Sequence, residues 1–151
     1  MPQNAELFWK MRRVDALFRR ALYAVAEQQG VSFELGHGHG KLLHFLTRRD
    51  GVSQKELAEA LHIRPQSLTS ALVKLEEQGL ITRVRSEKDK REQFVSITER
   101  GREHYELLRH FQDEAAKLVL SGLDVADTDR LSELLGLIID NCTNMEENGL
   151  V

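Results

Sequence analysis

Two short helical patterns lie close together near the middle of the sequence, and they constrain the fold more than any other feature. Ser53 and Glu56 have the spacing of a capping box, in which the serine side chain caps a helix and the glutamate side chain reaches back to the serine amide. Pro65 opens the next pattern at a position where a helix needs no amide donor, and Gly79 ends it. The spacing predicts two short helices joined by a tight turn.

Two extended patterns follow the second short helix. Residues 80–85 and 93–97 are rich in β-branched side chains, and the segment between them is polar and charged. Thr98 then has the residue type that caps a following helix. The chain is therefore predicted to be mainly α with a small β-wing, in the order of a winged helix-turn-helix.

The second short helix has one apolar face and one face of small polar side chains. Leu68, Leu72 and Leu75 follow the helical period and predict the buried face. The other face carries hydrogen-bonding groups and one cation: Gln66, Ser67, Thr69, Ser70 and Lys74. Short polar side chains let a helix approach phosphates and reach base edges in the major groove of DNA. A solvated face without a partner is the alternative interpretation.

The tip of the predicted hairpin carries four charged residues in a row, Lys88, Asp89, Lys90 and Arg91. A guanidinium group suits the narrow, strongly negative minor groove of DNA. Asp89 could fix the direction of the Arg91 side chain through a charge-assisted hydrogen bond. The alternative is a charged tip that only prevents the hairpin edge from pairing with other chains.

Charge is distributed unevenly along the chain. The whole sequence has a net charge of −3, which does not by itself indicate a nucleic-acid partner. Residues 61–91 contain seven basic and four acidic residues, a net charge of +3. Residues 98–151 contain five basic and twelve acidic residues, a net charge of −7. This pattern suits a basic DNA-binding patch on an acidic body, or a charged surface that is merely solvated.

A long helical pattern precedes this region. A helix is predicted from about residue 5 to residue 29, where the apolar positions recur at helical spacing. The glycine-rich segment 36–40 predicts a turn, a loosely started helix or a hinge, and the next helix is expected to end near Arg49.

Helical patterns also follow the hairpin. Helices are predicted over residues 98–120 and 127–142, with a frayed tail after Asn144. The second of these contains Cys142, the single cysteine, so an intrachain disulfide is excluded and a reducing compartment is favoured. Acidic neighbours would raise the pKa of its thiol, so a buried or interface cysteine is expected rather than an oxidation sensor.

Histidines raise the question of a metal site. His37, His39 and His44 lie near one another in the sequence, and His104 and His110 share a later helix. A spacing of six places the last two on different helix faces, whereas metal-binding pairs prefer positions four apart. No metal site is therefore expected. The glycine-rich segment also lacks the residues of a phosphate-binding loop.

These segments together resemble the DNA-binding core of the MarR family of bacterial regulators. The resemblance is strong over residues 53–101, about a third of the chain, and weaker in the flanking helices. The segments that carry it are Ser53-Gln54-Lys55-Glu56-Leu57-Ala58, Ser67-Leu68-Thr69, Leu75-Glu76-Glu77-Gln78-Gly79-Leu80-Ile81, Arg83, Asp89-Lys90-Arg91 and Val95-Ser96-Ile97-Thr98-Glu99-Arg100-Gly101.

The resemblance implies a two-fold symmetric homodimer that binds a pseudo-palindrome in double-stranded DNA. Residues 36–101 would form the winged helix-turn-helix domain, and residues 1–35 and 102–151 the helical dimerisation region. Phe8 and Trp9 in the first helix would then pack in the dimer interface, with a ligand-pocket wall as the alternative. Two-fold symmetry predicts half-sites one helical turn, roughly 10 bp, apart. The residues expected to contact DNA are Ser53, Gln54, Arg64, Pro65, Gln66, Ser67, Thr69, Ser70, Lys74, Arg85, Lys88, Asp89, Lys90 and Arg91.

Arg64 departs from the family's pattern, in which an acidic or small polar residue often precedes the recognition helix. A cation is unfavourable at the positive end of a helix dipole, but it could contact a phosphate. The resemblance also implies repression of nearby genes that is released by a small molecule, an oxidant or a metal.

The family resemblance implies a ligand-responsive repressor, and the single cysteine favours a cytoplasmic one. Neither a hydrolase nucleophile elbow nor a zinc-protease motif is present, so neither an enzyme nor a cofactor is expected. No apolar stretch approaches the roughly 18 residues of a membrane helix, so no membrane partner is expected. Two alternatives stay open: a metal-responsive regulator of the same fold, and a winged-helix protein-interaction module that does not bind DNA.

Overall fold

The computed structural model describes residues 3–31 and 39–149 of the chain. Its elements, in chain order, are α1 (Gln3–Gln28), α2 (His39–Arg48), β1 (Val52–Ser53), α3 (Gln54–Leu61), α4 (Pro65–Glu77), β2 (Ile81–Arg85), β3 (Gln93–Ile97), α5 (Glu99–Val119) and α6 (Val125–Glu147). This order confirms the prediction of a mainly α chain with a winged helix-turn-helix and a small β-wing. The glycine and histidine positions 36–38 lie outside the described residues.

The sheet has three antiparallel strands in the order β1-β3-β2, one strand more than the sequence predicts. β2 and β3 pair over all five residues of each, as expected for the hairpin. The additional strand, β1, contains only Val52 and Ser53, which pair with Val95 and Phe94. Two residues cannot display the alternation that marks a strand in a sequence, so β1 is recognised only through its partner.

The helix-turn-helix is built around a core of leucine side chains. Leu57 and Leu61 from α3 pack with Leu68, Leu72 and Leu75 from α4, and all five are buried. Ile81 of β2 and Val95 of β3 close the same core. Because the three leucines of α4 all point into this core, the polar positions on the opposite side are left on the outside.

The last helix differs from the prediction at both ends. It begins at Val125 rather than near residue 127, and it continues to Glu147 rather than ending near residue 142. The earlier start follows from Asp124, whose Oδ1 accepts a hydrogen bond from the Asp127 amide at 2.8 Å. The predicted frayed tail after Asn144 is therefore wrong up to Glu147, because the polar composition there does not interrupt the backbone hydrogen bonds.

The long helices form a second layer that is only partly packed. Leu22, Val25 and Ala26 of α1 pack against Phe111 and Ala115 of α5. No described side chain of α6 is buried, although the helix is rich in leucine and isoleucine. Among residues 3–31 and 39–149, no helix combines the length and the apolar character needed to cross a membrane.

Candidate nucleic-acid interface

Ser53 orients the first helix of the helix-turn-helix. Its side-chain oxygen accepts a hydrogen bond from the Glu56 amide at 3.1 Å, which confirms the first half of the predicted capping box. The Glu56 carboxylate, however, accepts from the Arg49 guanidinium at 2.6 Å. Ser53 is only 8% exposed, so its hydroxyl serves the helix and offers little surface to a partner.

The turn between α3 and α4 is tight because one residue adopts a left-handed conformation. His62 has a φ of 50°, and its amide donates to the Glu59 carbonyl. Arg64 then occupies the cap position of α4 without capping it through its side chain, and Pro65 follows as the first helical residue. The Arg64 side chain is exposed, so it is free to meet a phosphate at this end of the helix.

The polar side of α4 faces solvent, as the sequence predicts. All five side chains assigned to it are exposed, and together they are called the outer face of α4: Gln66, Ser67, Thr69, Ser70 and Lys74. Thr69 Oγ1 donates to the Pro65 carbonyl at 2.9 Å and accepts from Gln54 Nε2 at 2.7 Å. The outer face is thereby linked to the start of α3.

The wing tip is shaped by short hydrogen bonds between side chains and backbone. Ser86 Oγ accepts from the amides of Lys88 and Asp89, each at 3.2 Å. Asp89 Oδ1 accepts from the backbone amide of Arg91 at 2.9 Å. The predicted bond between Asp89 and the Arg91 guanidinium is thus replaced by a bond that shapes the loop, and the guanidinium remains exposed.

An ion pair ties α4 to the wing. Arg83 Nε and Nη2 both donate to Glu76 Oε2, at 3.0 and 2.5 Å. The hydrogen bond from Arg83 holds the pKa of the Glu76 carboxyl below its usual value. Arg83 is mostly buried, so this pair orients α4 and the wing relative to each other. The charge of Arg83 is already paired with Glu76, so we do not expect it to bind DNA.

A groove of about 660 Å³ lies between the helix-turn-helix and the wing. Six of the predicted contact residues line it: Gln54, Pro65, Thr69, Arg85, Lys90 and Arg91. Four polar residues that were not predicted from the sequence also line it: Lys55, Glu59, Glu92 and Gln93. Lys55 follows Gln54, and Glu92 and Gln93 follow Arg91, so three of them lie beside predicted contacts; Glu59 lies one helical turn after Lys55 on the same face of α3, which is the signal for the fourth.

The basic residues that the sequence predicts to contact DNA differ from other basic residues in their pairing, although Lys55, which also lines the groove, pairs with Glu59 at 4.0 Å. Within the described ranges, no acidic side chain forms an ion pair with Arg64, Lys74, Arg85, Lys88, Lys90 or Arg91. Arg49 and Arg102, by contrast, pair with Glu56 and Asp50. Unpaired cations concentrated on one surface give a positive potential that attracts a polyanion.

The histidines are dispersed rather than clustered. His39 is buried, and burial, followed by the nearby Lys74 charge, lowers the pKa of its imidazole. His44 Nδ1 and the Tyr105 hydroxyl are 2.5 Å apart. Burial, followed by the Arg100 charge, lowers the pKa of His104. In the part of the chain that the structure describes, no three histidine, cysteine or acidic side chains are grouped as metal ligands; His37 lies outside that part.

Three residues that the sequence analysis assigned to an interface are exposed in the isolated chain. Cys142 on α6 is exposed, so the expected burial does not come from its own chain. Phe8 and Trp9 on α1 are 54% and 61% exposed, and their rings meet edge to face. Large aromatic groups left in water indicate a surface that another molecule covers.

Proteins with similar sequences and folds are transcription regulators. The sequence profile of the MarR family matches residues 36–92. The HTH-type transcriptional regulator BilQ of Clostridium symbiosum is 32% identical over 117 residues, which are 76% of this chain and 78% of BilQ. The HTH-type transcriptional regulator YdgJ of Bacillus subtilis is 28% identical over 148 residues, 95% of this chain and 84% of YdgJ. The crystal structure of a MarR transcriptional regulator from Methanosarcina mazei Go1 shares the fold, with a TM-score of 0.72 at 24% identity over 91% of this chain and 98% of the other.

Proposed function

This chain belongs to the MarR family of transcription regulators, and we propose that it is a cytoplasmic homodimer that binds a pseudo-palindromic operator. In this proposal it represses nearby genes until a small-molecule effector releases it. Residues 36–101 form the DNA-binding unit, and residues 1–35 and 102–151 form the dimerisation region. The family resemblance supports the repression and its release.

The proposal rests on one observation: a polar helix face and a set of unpaired cations lie next to each other. The outer face of α4 offers short polar side chains, and the groove beside it is bordered by the unpaired cations Arg85, Lys90 and Arg91. A helix with such a face fits the major groove, while cations on a projecting wing reach the backbone and the minor groove. The acidic C-terminal body keeps the rest of the chain away from DNA.

The exposed apolar faces of α1 and α6 support the homodimer. A groove of about 810 Å³ lies between α1, the end of α5 and α6. Leu7, Met11 and Val14 line it from α1, and Leu131 and Leu135 line it from α6. A second copy that supplies the same faces would bury this surface and set two wings at a fixed spacing. Half-sites one helical turn, roughly 10 bp, apart follow from that symmetry.

We expect Arg91→Ala to weaken operator binding by about 1–3 kcal/mol, which is about fivefold to 150-fold. The exposed guanidinium has no acidic partner in the described chain, so its loss removes a contact to DNA without breaking the fold. Fluorescence anisotropy with a labelled operator duplex at fixed salt measures the change.

Arg130→Ala is the matched control, because it removes an exposed arginine from α6, far from the groove along the chain. Its operator affinity is expected to stay within about twofold of wild type. If Arg91→Ala bound the operator with unchanged affinity, Arg91 would not be part of the DNA interface. Failure of the wild-type protein to bind the operator duplex even at low salt would favour the protein-interaction module over a DNA-binding protein.

A further inference from the structure

Thr69 differs from the other groups on the outer face of α4 because its hydroxyl is engaged twice. A threonine hydroxyl has one proton to donate and two lone pairs to accept with. The proton is donated to the Pro65 carbonyl at 2.9 Å, one turn earlier in the same helix. One lone pair accepts from Gln54 Nε2 at 2.7 Å. What remains for a partner is one lone pair and the methyl group.

Ser70 is limited in a similar way, whereas two neighbours are not. Ser70 Oγ donates to the Gln66 carbonyl at 3.2 Å, so its proton is also used within the helix. Within the described chain, the side chains of Gln66 and Ser67 make no hydrogen bond and keep their donors. The outer face therefore has donors at the first turn of α4 and two hydroxyl acceptors at the second, of which only Thr69 also carries a methyl group.

Gln54 restricts Thr69 from outside the helix. The bond to the Pro65 carbonyl selects one side-chain rotamer, and the amide of Gln54 adds a second bond that holds the same rotamer. Gln54 belongs to α3 and lines the groove, so its position is set by a different element from the one that carries Thr69. The methyl group is thus fixed before any partner arrives, which reduces the entropy cost of contact.

These restrictions have a consequence for base recognition in the major groove. An A·T pair presents the thymine C5-methyl group and the adenine N6 donor, which match a methyl group beside an oxygen that can only accept. Guanine presents only the acceptors N7 and O6, which an oxygen without an available proton cannot serve. Cytosine offers a donor but has no methyl group.

We infer that Thr69 reads an A·T pair through the thymine methyl group, and that Gln54 is the positioning residue that sets this preference. The inference rests on the proposed function, because it requires α4 to enter the major groove. It assigns specificity at one base pair to a hydrogen-bonded pair of side chains, Gln54 and Thr69, that join the two helices.

Deoxyuridine provides the direct test, since it differs from thymidine only by the C5-methyl group. The probe is the operator duplex that the wild-type protein selects from fragmented host DNA, with each thymine of one half-site replaced singly by deoxyuridine. Loss of one buried methyl contact is expected to weaken wild-type binding about fourfold at one position. Thr69→Ser keeps both hydrogen bonds but lacks the methyl group, so it should bind the thymine and deoxyuridine duplexes equally at that position.

Gln54→Ala tests positioning. It frees Thr69 from its second bond, so the thymine-to-deoxyuridine ratio of affinities should fall toward one, even where overall affinity is kept. Lys74→Ala is the matched control, because it removes a cation from the same outer face. It should weaken both duplexes by the same factor and leave the ratio unchanged.

The outcomes separate this inference from the proposed function. A wild-type protein that binds its operator but tolerates deoxyuridine at every thymine would overturn the inference alone. So would a thymine effect that persists in Thr69→Ser, and an unchanged ratio in Gln54→Ala would overturn the role of Gln54. Selection of no shared sequence would overturn the proposed function and this inference with it.

Discussion

Gly101→Ala is expected to destabilise the fold by at least about 3 kcal/mol, because the added methyl group has no room. A Cβ at this position would lie 2.0 Å from the Leu80 carbonyl oxygen and 2.8 Å from Ile97 Cγ1. The first of these is backbone, which already accepts from the Thr98 amide at 3.0 Å and cannot move alone. Gly101 therefore allows α5 to start directly against the wing. Urea unfolding followed by circular dichroism measures the loss.

Gly136→Ala is the control for this prediction. Gly136 lies inside α6, and an added Cβ would meet no atom within 4 Å. Alanine forms helix better than glycine, so this variant should be more stable by about 0.5–1 kcal/mol. If Gly101→Ala unfolded at the same urea concentration as wild type, the close approach of α5 to the wing would be wrong.

Leu134→Lys combined with Ile138→Lys is expected to convert the proposed homodimer to a monomer. Both side chains lie one turn apart on α6 and are exposed in the single chain. A two-fold dimer contains each position twice, so four apolar side chains would be lost from the interface. At about 1.5 kcal/mol each, the cost is about 6 kcal/mol, or about 10⁴-fold in the dimer dissociation constant. Operator binding should fall with it, because one wing alone cannot span two half-sites.

A second lysine pair tests whether charge alone explains the result. Gly136→Lys combined with Asn144→Lys adds the same charges on the opposite side of α6 from Leu134 and Ile138, each one turn from Asp140. This variant should remain dimeric by analytical ultracentrifugation and bind the operator at least as well as wild type. A Leu134→Lys/Ile138→Lys protein that stays dimeric would show that this face of α6 is not the interface.

The helix-turn-helix was predictable because its signals are local. A capping serine, a proline at the first position of α4 and leucines at helical spacing each act within one or two turns. β1 was not predictable in this way, since Val52 and Ser53 are defined by pairing with β3, about forty residues later. The end of α6 was missed because polar residues after Asn144 continue a helix as readily as they end it.

The candidate site could also be predicted from the sequence only in part. The exposure of the outer face of α4 follows from the period of its leucines. Which hydroxyls keep a free proton does not follow, because the bond between Gln54 and Thr69 joins residues 15 positions apart. The hydrogen-bond partner of Asp89 does not follow from the sequence either. Side-chain chemistry alone does not determine whether its carboxylate accepts from the Arg91 guanidinium or from the Arg91 backbone amide.

The most direct test of the account is to incubate the purified protein with fragmented DNA from its own host and to sequence what it retains. The account predicts one shared pseudo-palindrome whose half-sites lie one helical turn, roughly 10 bp, apart. It also predicts that retention weakens steeply as salt rises, because the unpaired cations of the wing and α4 displace counterions from the phosphates. Failure to retain any DNA even at low salt would contradict it.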